Sequence, residues 1–110
     1  MFKNITLDVN IEARYYSGMI QSFRDPDTKL LFDGRRVARF TNIAAVAVRK
    51  LQQVHAATNL DFLREPPGNR LEALSGNRAG QHSIRVNDQW RVCFVWIDGH
   101  AEQVEIVDYH

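Results

Sequence analysis

From residue 25 onward the hydrophobic pattern changes period once. "FRDPDTKLLFDG" carries helix punctuation: Asp25 suits the N-cap, Pro26 the first helical position, and Gly34 the close. "TNIAAVAVRKLQQVHAAT" places Ile43, Ala47, Leu51 and Val54 on one helix face and turns Arg49 and Gln53 away. Thr41 or Asn42 is the expected cap, and His55 reads as a surface or boundary residue. "REPPGN" then stops helical structure through Pro66, Pro67 and Gly68. Beyond it apolar positions alternate, which predicts strands near 70–74, 81–86, 89–97 and 102–108. "WRVCFVWI" is apolar on both faces, so it predicts a central strand covered on each side for part of its length. Trp90, Phe94 and Trp96 read as core or platform residues, and "MIQSF" at 19–23 is a candidate edge strand. Helices first and strands afterwards predict an α+β domain, with two N-terminal helices packed on one face of a small, mainly antiparallel sheet.

The dipeptide Asp98-Gly99 is the clearest hairpin signal. A two-residue turn there pairs residues whose numbers sum to 197, which sets Ile106 opposite Arg91. The final Asp108, Tyr109 and His110 are then delivered beside Arg91 and the 87–90 turn. A three-residue loop, Asn87-Asp88-Gln89, puts Arg85 on the same face as Arg91; a two-residue loop puts them on opposite faces. The three-residue loop is the expected one.

Composition narrows the class. Apolar residues at 45% and charged residues at 25% of 110 are globular values, which excludes a disordered chain and fits one domain. The single cysteine, Cys93, excludes an intramolecular disulfide and reads as a buried small hydrophobe. No apolar run is long enough to span a bilayer and no signal-peptide pattern opens the chain, so a cytoplasmic location is expected. Charge is uneven: residues 34–91 hold ten Lys/Arg against four Asp/Glu, and residues 92–110 contain no Lys or Arg. Eleven of the fourteen basic residues are arginine, whose planar fork suits phosphate; a solvated surface is the competing reading.

An arginine cluster beside an acid, a phenol and an imidazole suits phosphodiester cleavage of RNA. That reaction needs a base for the 2′-hydroxyl proton, an acid for the leaving 5′-oxygen, and cations for charge developing on the phosphoryl oxygens. His110 titrates near working pH, Tyr109 can stack or donate, Asp108 can orient a neighbour, and Arg78, Arg85 and Arg91 can hold the phosphate. No carboxylate or histidine group has metal-ligand spacing, so a mechanism without metal or cofactor is expected.

"PPGNRLEALSGNRAGQHSIRVNDQWRVCFVWIDG", with "VEIVDYH" at the end, resembles the HigB branch of the RelE-type bacterial toxins from about Met19 to His110. The resemblance implies a compact RelE-like α+β fold that cuts messenger RNA during translation in the ribosomal A site. It also implies a cognate helix-turn-helix (HigA-like) antitoxin, through which alone the protein would reach operator DNA, and no membrane partner. By position, Arg91 matches the family's central-strand arginine, Asp108, Tyr109 and His110 its terminal acid, aromatic and histidine, and Arg78 the basic residue of its "G-x-R" turn. Arg70, Arg78, Arg85 and His82 are the residues expected on RNA.

The chain departs from the family at Leu71-Glu72-Ala73-Leu74-Ser75-Gly76, where many relatives read "L-H-x-L-K-G". Either His110 and Glu72 share the proton transfers, or Arg70 and Arg85 compensate by charge, in a slow or strongly ribosome-assisted enzyme. Residues 1–18 fall outside the resemblance; Met19 reads as the native start, although "ITLDVNI" alternates as an extra strand would. Residues 19–110 are the toxin domain on this reading. The alternatives are a non-catalytic RNA- or ribosome-binding module and a ribonuclease independent of the ribosome.

Overall fold

The computed structural model describes residues 19–109; the readings made for residues 1–18 and for His110 lie outside the described residues. Helix α1 runs Pro26–Phe32 and α2 runs Ala44–Ala56. Four strands follow, β1 Glu72–Ala73, β2 Gln81–Arg85, β3 Trp90–Ile97 and β4 His100–Asp108, in the spatial order β1-β2-β3-β4 with every neighbour antiparallel. The α+β arrangement read from the pattern is the one observed.

Helix α1 starts as its sequence dictates. Asp25 is the N-cap and its side chain accepts from the Thr28 amide, while Pro26 takes the first turn, where its missing N–H costs nothing. Gly34, at φ +89°, ends the turn in a conformation natural to glycine. Helix α2 departs from expectation at its start. A short 3₁₀ turn, Ala38–Phe40, leads into it; the Thr41 hydroxyl donates back to the Ala38 carbonyl, and Ile43 occupies the cap without a side-chain bond. Neither Thr41 nor Asn42 caps, because the preceding turn supplies the entry. Gln53 is not turned away either: half-buried, it accepts from Asn69 at 2.9 Å.

Ile43, Ala47, Leu51 and Val54 of α2 pack with Leu31 and Phe40 against Ile84, Val92, Phe94, Val104 and Ile106 of the sheet. Removing this apolar area from water is the main stabilising term. The even-numbered residues of β2 and β3 face this layer. The odd-numbered ones face away, onto an open surface, and of these Cys93 is fully buried beneath its neighbours. Strand β3 is thus interior and covered on both faces in its middle, as its double-sided apolar pattern requires. Phe94 is fully buried there, with Trp90 and Trp96 partly buried against the core.

The hairpin between β3 and β4 corrects the predicted register. Asp98 (φ 51°) and Gly99 (φ 84°) form the expected two-residue turn, and Trp96 pairs with Ala101 as predicted. Between Cys93 and Val95 the register then shifts by one at a β-bulge, with Gln103 at φ 54°. Ile106 therefore lies opposite Val92, and Val107 opposite Arg91. The shift lets Ala101, Val104 and Ile106 all reach the core, although one strict alternation could not bury both 101 and 106.

The stretch 19–23 makes a single parallel bridge, Phe23 to Val104, rather than a strand. Backbone bonds from Gln21 and Arg24 to the Ala101 and Val104 carbonyls, and from Val104 to Ser22, still lay it along the outer rim of β4. Its Ile20 amide donates to His55 Nδ1, which gives that boundary histidine a structural partner. Strand β1 is shorter than the predicted 70–74, because Arg70 adopts a left-handed conformation (φ 46°, ψ 57°) just before it.

Candidate active site

The open face of the sheet is organised around Arg91. Its side chain is only 11% exposed. Nε donates to Ser83 Oγ at 2.7 Å, Nη2 donates to the Arg70 carbonyl at 2.8 Å, and Glu72 Oε1 stands 3.3 Å from Nη2. The register explains the meeting. Ser83 pairs with Cys93 and also with Glu72, so β1, β2 and β3 each contribute to one patch. Nη1 has no hydrogen-bond partner among the described residues.

Arg85 pairs directly with Arg91 across β2 and β3, on the same face, as the three-residue loop at 87–89 requires. It also pairs with Asp88; this bond and Arg85's charge hold the fully exposed Asp88 carboxyl below the usual carboxylate range. Further along the face, Arg78 donates to Gln81 Oε1 at 3.0 Å and to Glu105 Oε1 at 3.2 Å. Cys93 is the floor between these pairs. Burial pushes its thiol up to about 11, with the charges of Arg78, Glu105, Arg91 and Glu72 as smaller influences. A buried, protonated thiol is a packing group and no nucleophile.

The bulge decides what the chain end brings. With Val107 opposite Arg91, Tyr109 falls in the row of Arg91: the guanidinium carbon lies 5.9 Å from the ring centroid. The Tyr109 amide donates to the Gln89 carbonyl, which continues the ladder one residue past β4. Asp108 falls in the other row, opposite Trp90, and its Oδ2 accepts from Gln89 Nε2 at 3.1 Å. Without the bulge these two would exchange places.

His82 is not brought to this face. Its even position in β2 turns it to the helix side, where it stacks on Phe94 with centroids 6.4 Å apart. Burial, then the charge of Arg64, lowers its pKa, and its buried Nδ1 has no hydrogen-bond partner. Arg70 places its carbonyl on Arg91 while its exposed guanidinium makes no bond among the described residues. Nor do those residues contain a group of three His, Cys, Asp or Glu able to hold a metal ion. No helix among them is long and apolar enough to cross a membrane. Sequence reading missed Lys50 and Asn69, which join helix α2 to the loop that ends at Arg70. The one available signal was the position of Asn69 directly before Arg70.

Residues 20–110 match the family model described as the RelE-like toxin of the type II toxin–antitoxin system HigB. The chain belongs to this family. Among HigB relatives, it is 32% identical over 100 residues to the Endoribonuclease HigB of Proteus vulgaris, a match covering 84% of this chain and all of that protein. It is 49% identical over 61 residues to Toxin HigB-1 of Vibrio cholerae serotype O1, where the match covers 56% of this chain and 64% of the relative. The fold is that of the Staphylococcus aureus YoeB dimer (TM-score 0.51, 18% identity, covering 86% of this chain and 99% of that one). The YoeB–YefM complex from the same organism gives a TM-score of 0.50 at 18% identity, over 83% and 97% of the two chains. The RelE-like architecture expected of a HigB toxin is therefore present.

Proposed function

We propose that this HigB protein is an endoribonuclease toxin that cuts messenger RNA being translated in the ribosomal A site, and so stops translation and growth. The observation that supports it most is Arg91: a guanidinium fixed at Nε and Nη2 with Nη1 left for a phosphoryl oxygen. Fixing a cation before substrate arrives is how a site stabilises charge that appears only in the transition state.

In this reading the RNA backbone lies along the Arg91–Arg85 row, with the Arg70 guanidinium at its edge and Arg78 further along. A base stacks on the exposed Tyr109 ring. Glu72 takes the 2′-hydroxyl proton and the freed oxygen attacks phosphorus. Arg91 and Arg85 hold the charge on the non-bridging oxygens, in place of a metal ion. The His110 imidazole, assigned by the terminal motif, protonates the 5′-oxygen as its bond to phosphorus breaks. The products are a 2′,3′-cyclic phosphate and a 5′-hydroxyl. Asp108, through Gln89, steadies the segment that carries Tyr109 and His110. A helix-turn-helix antitoxin encoded beside the toxin is the proposed partner and its link to operator DNA.

Two observations favour a second reading, a module that grips RNA without cutting it. Glu72 already has an ionic partner in Arg91, and Ser75 stands where many relatives carry lysine. Primer extension on messenger RNA with and without ribosomes separates the readings. Cleavage only with ribosomes is the expected result, cleavage in both identifies an independent ribonuclease, and binding without cleavage identifies the module. Arg91→Ala should slow the cuts by about 10³-fold, to a rate still measurable in single turnover, with the fold retained; a collapse of thermal stability would make the residue structural.

A further inference from the structure

We propose that Asn69 is a positioning residue for Arg91, acting through the Arg70 carbonyl; the proposal rests on the catalytic reading above. Asn69 is completely buried, and every polar atom of its side chain is used. Nδ2 donates to Gln53 Oε1 at 2.9 Å and to the Leu63 carbonyl at 3.1 Å, while Oδ1 accepts from Lys50 Nζ at 2.5 Å. Its backbone amide donates to the Pro66 carbonyl at 3.0 Å. Two residues of helix α2 thus clamp one point of an otherwise irregular loop. The next residue, Arg70, is left-handed, a conformation that a side-chain-bearing residue adopts at a cost and keeps only where its surroundings enforce it. That turn is what swings the Arg70 carbonyl onto Arg91 Nη2.

The consequence is directional. Of the three groups holding Arg91, Ser83 lies in a regular strand and Glu72 is an exposed side chain, so the Arg70 carbonyl is the only backbone contact and the only one set by a loop. If the clamp is lost, the loop relaxes and the guanidinium loses its orientation while keeping its charge. Misplacement by about 1 Å is enough to cost about 10²-fold in rate without weakening binding in proportion.

The test compares wild type, Asn69→Ala, Arg91→Ala and the double variant in single-turnover cleavage on programmed ribosomes, with side-chain ¹⁵N relaxation of the Arg91 Nε–H alongside. The expected result is a fall of about 10²-fold in the maximal rate for Asn69→Ala with little change in half-saturation. Combined with Arg91→Ala it should cause no further loss, because both changes remove one function. The Nε–H of Arg91 should become mobile while backbone resonances of β2–β4 stay in place. Additive losses, or an Arg91 side chain as rigid as in wild type, would overturn the proposal. Where Asn69→Ala does not fold, Lys50→Met, which removes one of the three side-chain bonds, is read by the same two criteria with a smaller expected loss of about tenfold. If wild type cleaves nothing, the catalytic reading fails, and the relaxation measurement still decides whether Asn69 orders Arg91.

Discussion

A carboxylate 3.3 Å from a guanidinium can serve that guanidinium or the substrate, and Glu72→Gln tells the two apart. Glutamine keeps a hydrogen-bonding oxygen for Arg91 but cannot take a proton. A fall of about 10²-fold or more in single-turnover cleavage, with unchanged unfolding midpoint, is expected of a general base. A change within a factor of two would leave Glu72 as a tether only. Cys93 gives a second residue-scale expectation. Its thiol ionises near 9 when exposed and at about 11 in the fold, so between those values the unfolded chain releases a proton that the native chain keeps. Stability should fall with rising pH across that window, by about 2 to 3 kcal/mol at the top, and chemical denaturation of Cys93→Ala should show the step removed. Arg91 and Arg85 were legible in the sequence because strand parity and a short loop place them, whereas Tyr109 reaches their row only through the bulge, which straight pairing does not anticipate. His82, expected on RNA with three arginines, lies on the other side of the sheet by its strand parity, stacked on Phe94. The contacts of Lys50 and Gln53 with Asn69 join a helix to a loop, and such contacts leave no period to read.

Among the elements, the bulge in β4 has the largest consequence. It is built on Gln103, whose left-handed backbone lacks the glycine, asparagine or aspartate that usually announces one, so a two-residue turn followed by straight pairing was the natural expectation. Gln103→Gly should fold as well as the parent or better, since glycine removes about 1 kcal/mol of backbone strain and returns part of it as chain entropy. Deleting Gln103 should be severe. It would force Val104 and Ile106, both now essentially buried, out of the core, or slip the turn instead. At about 1.5 to 3 kcal/mol for each exposed side chain, the loss approaches the whole stability of a small domain. Urea titration of the two variants checks both expectations. The helices were easier to read: Asp25-Pro26 and Gly34 state the ends of α1 in residue chemistry, and α2 declares its buried face by spacing. The entry to α2 was not legible, because a 3₁₀ turn replaces the side-chain cap.

At the scale of the molecule, part of the basic charge of residues 34–91 gathers on one sheet face, where Arg91, Arg78 and Arg85 each have a carboxylate partner. RNA must compete with those partners for the arginines. Asp88→Asn should therefore tighten binding of a single-stranded RNA. Arg85→Gln should weaken it and lower the slope of log affinity against log salt by about 0.7, one phosphate contact, measured by fluorescence anisotropy. An unchanged slope would remove Arg85 from the RNA path.

The rims of the sheet carry a further consequence. The outer rim of β4 is occupied by residues 21–24 and by the Thr28 hydroxyl, which accepts from the Ile106 amide at 3.0 Å; the opposite rim is a strand of two residues. Open ladders are where extended peptides are captured and where identical chains stack edge to edge. Among the described residues this molecule offers no such template. A protein that restrains it is therefore expected to recognise shape and side chains rather than lend it a long strand.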